Sequence, residues 1–369
     1  MTNLIQIQER EVGEGKQVFV VAEISGNHRQ KYEEAKALVR VAKEAGADAV
    51  KLQTYTPDTI TLNSDKGWFR VGETDNDNPE LWKGKTLYGL YQTAYTPWDW
   101  QPKLKKLADE LGIILFSTPF DVTAVDFLEA MNVPCYKIAS YEATDEILLK
   151  KVARTKKPVI MSVGYASLDE IERAVSILRE HGSGEIAILY CITDYKREAD
   201  EEHANLATIE DIAKRFDVVV GFSDNSGGID VPLMAARAGA AIIEKHIILD
   251  RNLGGPDAQF SLEPQELKDM IDILRGRKEH SIDEVRYKRA LGAPFYGPRN
   301  DIEKYNLRWR RSLFVTKDIR KGDIFTKENV RTIRPAFGLH TKHYDEVLGK
   351  VASQDIESGT PLSWDLIGD

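Results

Sequence analysis

Two lysines, Lys51 and Lys137, lie inside short apolar runs, DAVKLQT and CYKIAS. A lone lysine in a strand is usually a surface residue whose stem lies along apolar neighbours. Here six other apolar runs also end in polar groups. Glu23 ends QVFVVAEIS, Thr118 follows IILFS, and Ser162 ends PVIMSV. Thr193-Asp194-Tyr195 follow IAILYC, Ser223-Asp224-Asn225 follow VVVGF, and Glu244 and His246 stand two apart in AAIIEKH. Lys137 is itself followed by Ser140 and Glu142. Taken singly, His246 reads as a hydrogen-bonded core histidine, and SDNSGG as an Asx turn whose glycines supply positive φ. Taken together, the set predicts a polar pocket for an anion, because buried charges are costly unless paired or used. Lys51 and Lys137 supply charge to a phosphate or carboxylate. Thr118, Ser140, Ser223 and backbone N–H groups can complete a cradle. Glu23 and Glu142 can do acid–base work. His246 with a neighbouring carboxylate or amide oxygen can hold a divalent metal.

The elements that must position these residues alternate in texture from residue 18 to 277. Eight β-branched apolar runs are each followed by an amphipathic pattern with apolar residues at i, i+3 and i+4. YEEAKALVRVAKEAG is the clearest, with a glycine stop after its last turn. Eight such units predict a (β/α)8 TIM barrel over residues 1–280, with the site at the C-terminal ends of the strands. The rival is a doubly wound open sheet, but no G-x-G-x-x-G follows the first strand. One connection, Tyr55 to Asp99, is abnormally long and rich in Trp and Tyr, which predicts a lid over the barrel mouth. Residues 281–306 lose the strand pattern and read as a helix and linker. Residues 307–369 carry short runs separated by KG, LG and SG turns and read as a compact β-rich module. Such a module is small for independent stability and needs a surface to pack on.

The 369 residues are 42% hydrophobic, enough for a sizeable core, and carry a net charge of −9. That balance speaks against a nucleic-acid binder, which would show a basic face. It is compatible with a locally positive cleft for a small anion. Cys135 and Cys191 both lie in apolar runs and read as buried free thiols. No signal peptide is visible and no apolar run approaches the ~20 residues of a membrane span, so the expectation is a cytoplasmic protein with no membrane partner.

AEISGNH, AGADAVKLQTYTPDTITLNSDK, STPFD, YKIASYE, GFSDNS, IEKHIILDRNLGGPDAQFSLEP and RPAFGLH, in that order, resemble the sialic acid synthase family over about residues 15–367. The C-terminal module resembles that family's antifreeze-like (SAF) domain. KLQTYTPDTITLNSDK, the YxLYxxAxTPWxW stretch and RPAFGLH look most like its pseudaminic acid synthases. The resemblance implies condensation of phosphoenolpyruvate with an amino-hexose aldehyde to a nine-carbon keto acid, with a divalent metal, Mn²⁺ or Mg²⁺. It also implies roles. Lys51, Thr118, Lys137, Ser140 and Ser223 would hold phosphoenolpyruvate. Glu23 would sit near the metal-bound water or the sugar carbonyl, and Glu142 would help bind the reacting groups. Tyr195 and Asp257 would line the sugar side, Thr193 would be a further substrate-binding residue, and His246 would ligate the metal. Arg334 would reach in from the SAF module of the other subunit of a domain-swapped homodimer.

The chain departs from the family pattern in places. Where the family has S-D-H-[ST], with the histidine as second metal ligand, this chain has Asn225. Asparagine can ligate through its amide oxygen, more weakly than imidazole. The family's S-T-G is Ser162-Val163-Gly164, and its C-T-[SN]-x-Y-P becomes Cys191 to Lys196. These changes fall on the metal and sugar sides. They leave open a legionaminate or N-acetylneuraminate synthase, or a non-catalytic sugar-binding relative.

Overall fold

The structure is a computed structural model that describes residues 3–72, 83–193 and 195–368. Asp194 and the tip of the long connection, 73–82, lie outside the described residues.

A hairpin of β1 (Leu4–Ile7) and β2 (Arg10–Gly13) precedes eight parallel strands. These are β3 (Phe19–Glu23), β4 (Ala49–Thr54), β5 (Ile114–Pro119), β6 (Tyr136–Ile138), β7 (Val159–Ser162), β8 (Ile186–Ile192), β9 (Val219–Asp224) and β10 (Ile242–His246). They close into a barrel through β10 and β3, so the open sheet is excluded. Strand alternation sorts the residues. Val20 and Ala22 face the helices, whereas Phe19 and Val21 face the barrel axis with Phe116, Ile160 and Leu189. Ile5, Ile7 and Val12 of the hairpin join that inner cluster and plug the N-terminal end. Gly221 of β9 is required by this packing: a Cβ there would lie 2.6 Å from the Ile242 carbonyl and 2.5 Å from Leu189.

The outer helices form as their periodicity predicts. The helix Tyr32–Ala45 buries Ala35, Leu38, Val39 and Ala42, carries Glu33 and Glu34 in its first turn, and stops at Gly46 with φ 90°. Acidic residues suit the N-terminal end of the helix dipole, and glycine takes the left-handed cap without strain.

The long connection and the C-terminal module fold against each other. The module has three antiparallel strands, β11 (Ser312–Val315), β12 (Val330–Ile333) and β13 (Thr360–Pro361), around a small core of Leu313, Val315, Phe325 and Val330. Its underside is covered by the connection: Phe69 packs on Phe314 and Ile333, with ring centroids of Phe69 and Phe314 5.2 Å apart. Backbone bonds join Arg334 N–H to the Ile60 carbonyl at 2.9 Å, and the Thr61 hydroxyl donates to the Arg334 carbonyl at 2.9 Å. The predicted lid is therefore the seat of the module. Residues 281–306 also hold to the barrel, through the helix Glu284–Leu291 and the ion pairs of Arg286 with Glu201 and Asp230. Among the described residues no helix is long and apolar enough to cross a membrane.

Candidate active site

A cavity of about 680 Å³ opens at the C-terminal ends of the strands. Register explains what lines it. Glu23 of β3 lies beside Lys51 of β4 and His246 of β10, and Glu244 lies beside Ser223 of β9. Alternation turns Glu23, Lys51, Ser223, Glu244 and His246 inward. It turns Asp224 and Lys245 outward, where they pair at 2.9 Å, both fully buried, with Asp224 also accepting from the Ser226 hydroxyl at 2.6 Å. Ser223-Asp224-Asn225 thus serves two faces: Ser223 and Asn225 line the cavity, and Asp224 ties the strand end to its turn.

At the cavity floor Lys137 lies 3.3 Å from Glu244, and Lys51 lies 3.5 Å from Glu244 and 3.3 Å from the Thr118 hydroxyl. Lys51 also pairs closely with Glu23. All four charged groups are buried. Burial raises the Glu23 pKa, Glu244 adds to the rise, and the Lys51 charge does not cancel it. Burial works the same way on Glu244, but Lys137 and Lys51 overcome it and hold Glu244 below the usual carboxylate range. The Lys137 ammonium is lowered by burial and by the neighbouring Lys51. Such an arrangement gains from an arriving anion, which supplies the charge that Lys137 shares with one carboxylate only.

Nearer the mouth His246 is kept neutral. Burial lowers its pKa well below the ordinary value, and Lys51, Lys245 and Lys137 lower it further. Its Nδ1 is buried without a hydrogen-bond partner, and Asp257 Oδ2 lies 3.8 Å away. Asn225 Nδ2 donates to Cys191 Sγ at 3.7 Å, which leaves the amide oxygen as its remaining ligating atom. Among the described residues no three His, Cys, Asp or Glu side chains are placed so as to hold a metal ion between them. The donors for a cation are one neutral imidazole, one carboxylate and one amide oxygen, a mixed N/O set that fits Mn²⁺ or Mg²⁺ rather than a thiophilic ion.

Of the residues expected in the site, Lys51, Thr118, Lys137, Ser140, Thr193, Tyr195, Ser223, Asn225, His246, Asp257 and Arg334 all line this cavity. Glu23 and Glu142 do not. Glu23 lies behind the Lys51 ammonium. Glu142 is taken up by the module: Arg334 Nη2 donates to it at 2.6 Å and Nε at 3.1 Å, with Arg311 Nε 3.6 Å away. Glu142 thereby anchors Arg334. The guanidinium of Arg334 also stands over Tyr141 and Phe120, 4.7 and 5.4 Å from their centroids, and Nη1 donates to Tyr91 Oη at 3.2 Å. In this single chain Arg334 reaches the mouth of its own barrel. The reason is the path of 299–311, which turns back along the mouth: Glu303 bonds Thr193, and Arg310 bonds Glu170 at 2.7 Å.

Sequence reasoning passed over three contributors. Glu244 stood in plain sight two residues before His246, on the same face, and was given no task. Tyr91 sat in the long connection, and Trp309 in the charged segment after the barrel, where nothing in spacing marks them as cavity residues. Both line it.

A closed parallel barrel, with paired lysines buried at its C-terminal mouth and a β module as roof, defines a (β/α)8 enzyme scaffold built for an anionic substrate. The chain belongs to the NeuB family, which it matches over residues 38–284, and residues 310–368 match the SAF domain. It is 41% identical over 350 residues to the pseudaminic acid synthase of Campylobacter jejuni subsp. jejuni serotype O:23/36 (strain 81-176), covering 94% of this chain and 96% of that protein. It is 40% identical over 348 residues to the pseudaminic acid synthase of Helicobacter pylori (strain ATCC 700392 / 26695), covering 94% and 96%. Among solved structures, the spore coat polysaccharide biosynthesis protein SpsE of Bacillus subtilis superposes with a TM-score of 0.81, 33% identity and 99% coverage of both chains.

Proposed function

We propose that the protein is a pseudaminic acid synthase, which joins phosphoenolpyruvate to a diacetamido-trideoxyhexose with release of phosphate. The observation that carries the anionic half is the floor of the cavity, where Lys51 and Lys137 are buried beside Thr118 and Ser223. The acceptor half is supported by the identity to pseudaminic acid synthases along nearly the whole chain.

In this reading Lys51 and Lys137 bind the phosphate and carboxylate of phosphoenolpyruvate, with Thr118, Ser140 and Ser223 as donors. The methylene carbon attacks the aldehyde carbon of the open-chain sugar, and the aldehyde oxygen takes up a proton. Water adds to the former enol carbon. The C–O bond to phosphate then breaks, which leaves the keto acid. Glu23 is the carboxyl group for the proton transfers, once substrate oxygens draw Lys51 away from it; its raised pKa suits that task. His246, Asp257 and Asn225 would hold Mn²⁺ or Mg²⁺, which when bound supplies Lewis acidity towards the sugar carbonyl and orients water. Tyr195 and Arg334 bind the sugar, and the module above them excludes bulk water.

We also propose that the enzyme works as a homodimer whose modules are exchanged. If residues 299–368 are exchanged as one unit, a partner's unit can make the same contacts with the barrel, those of Glu303 and Arg310 included, and only the path before residue 299 differs. With phosphoenolpyruvate as substrate, the cytoplasm is the expected place of action.

The test is incubation with phosphoenolpyruvate and, separately, the pseudaminic, legionaminic and N-acetylmannosamine precursors, with the product identified by mass spectrometry. A nine-carbon acid from the first sugar alone is the expected result. Product from another precursor alone would overturn the assignment of the acceptor. A chain that neither turns over nor is thermally stabilised by phosphoenolpyruvate would overturn the reaction itself.

A further inference from the structure

Asn27 lies in the loop after β3, buried, and no step of the reaction uses it. Its amide nitrogen carries two protons, and both are spent. One goes to the carbonyl of Ile247, the residue after His246, at 2.8 Å, and the other to the Ser261 hydroxyl at 2.8 Å. Ser261, also buried, gives its own proton to the Asp257 carbonyl at 2.6 Å. The backbone around this join is fixed as well. The Ile247 N–H donates to the Glu23 carbonyl at 2.9 Å, and the Leu262 N–H to the His246 carbonyl at 2.8 Å. One side chain thus ties the end of β3 to the strand end that carries His246 and to the loop that carries Asp257.

That loop needs an anchor. Asp257 follows Gly254 and Gly255, with φ 71° and 139°, and Pro256. Two glycines in succession give the chain wide backbone freedom, and ordering it costs entropy. Beyond Asp257 the loop is held by Ser261 and Asn27. Before it, Gly26 closes the join: a Cβ there would lie 3.1 Å from Pro256 Cγ and 3.0 Å from the Ala94 carbonyl oxygen. The returning segment also sets Phe260 edge-on to the His246 ring, with centroids 4.9 Å apart. Across this join Asp257 Oδ2 and His246 Nδ1 stand 3.8 Å apart. We propose that Asn27 is a positioning residue for the divalent cation: through Ile247 and Ser261 it sets the spacing of His246 and Asp257. The inference rests on the reading that these two residues hold the cation. Partners of this kind, one step behind the ligands, orient them and so govern metal affinity.

The experiment is titration calorimetry of Mn²⁺ into the full-length, metal-free wild type, Asn27→Ala, Ser261→Ala, Asp257→Ala and the double variant of the last two. Phosphoenolpyruvate is titrated into the same proteins without metal. Asn27→Ala should weaken Mn²⁺ binding by about ten-fold or more. It should leave phosphoenolpyruvate affinity within about two-fold, since the lysines of the cavity floor lie on other strands. Ser261→Ala cuts only the branch to Asp257 and should weaken Mn²⁺ by about three-fold or more. In the Asp257→Ala background the same change should have no further effect. Wild-type Mn²⁺ affinity in folded Asn27→Ala would overturn the proposal. So would an equal loss of phosphoenolpyruvate affinity, which a general loosening of the barrel would give, or a Ser261→Ala effect that persists in full without the Asp257 carboxylate. If Asn27→Ala does not fold, unchanged Mn²⁺ affinity in Ser261→Ala still overturns it. A wild type that binds no Mn²⁺, or an Asp257→Ala chain that binds it equally well, would overturn the reading of the metal site and this inference with it. Binding that Asp257→Ala weakens, with Asn27→Ala and Ser261→Ala unmoved, would overturn the inference alone.

Discussion

Lys137 is the residue on which the anion pocket depends most. It lies 3.3 Å from Glu244, and burial and Lys51 both weaken its hold on its proton. An anion arriving beside it restores that hold. Lys137→Ala should leave the barrel folded, because Glu244 keeps Lys51 as a partner, and should weaken phosphoenolpyruvate binding by about 100-fold or more, the usual effect of truncating a buried charge partner. Titration calorimetry measures this, and unchanged affinity would remove the pocket from Lys137. Asn225 is the other decisive residue. Its amide oxygen is a weaker donor than an imidazole, and His246 and Asp257, 3.8 Å apart, line the same cavity. Asn225→His should tighten Mn²⁺ binding by about ten-fold or more; equal affinity in the two proteins would mean that this position is no ligand. Most of these residues were legible from type and place alone. Polar side chains at the ends of apolar strands face the barrel mouth, and period two says which of them face inward. What the sequence does not show is the partner of a carboxylate: Lys51 stands against Glu23, and Arg334 against Glu142.

At the scale of elements, the turn after β6 joins barrel to module. Asp145 is buried there, 3.8 Å from Arg311 and near Glu142. Burial lifts its pKa to about 6; Arg311 opposes the rise and Glu142 adds to it. The folded state therefore binds this proton more tightly than the unfolded chain, whose carboxyl titrates near 3.8. Stability contributed here is present in acid and is lost as pH rises from about 4 to about 6, by up to about 3 kcal/mol. Asp145→Asn should remove that slope. Unfolding free energies of both proteins at pH 4 and pH 7 measure the difference, and equal slopes would contradict it. The barrel strands and helices were readable because each has one strong period. The long connection was not. Its aromatic residues announce burial but not their partner, and Phe69 finds Phe314 across the molecule. Residues 299–309 were opaque for a similar reason: a charged stretch gives no sign that Glu303 will be wholly buried.

The whole molecule is a barrel roofed by a module whose Arg334 completes the cavity. Mixing tests whether two chains share that roof. Lys137→Ala and Arg334→Ala chains should each be inactive alone. If modules are exchanged, a mixed dimer pairs an intact barrel with an intact Arg334, and unfolding and refolding the two together should restore activity. A mixture that stays inactive would mean that each chain roofs itself, as in the single chain described here. The central claim, a condensing synthase of pseudaminic type, is tested most directly by the rate of phosphate release from phosphoenolpyruvate. The rate is measured with the diacetamido sugar present or absent, and before and after a chelator and added Mn²⁺. The account predicts release only with the sugar, abolished by the chelator and restored by the metal. Release without any sugar, or none with it in folded and metal-loaded protein, would contradict it.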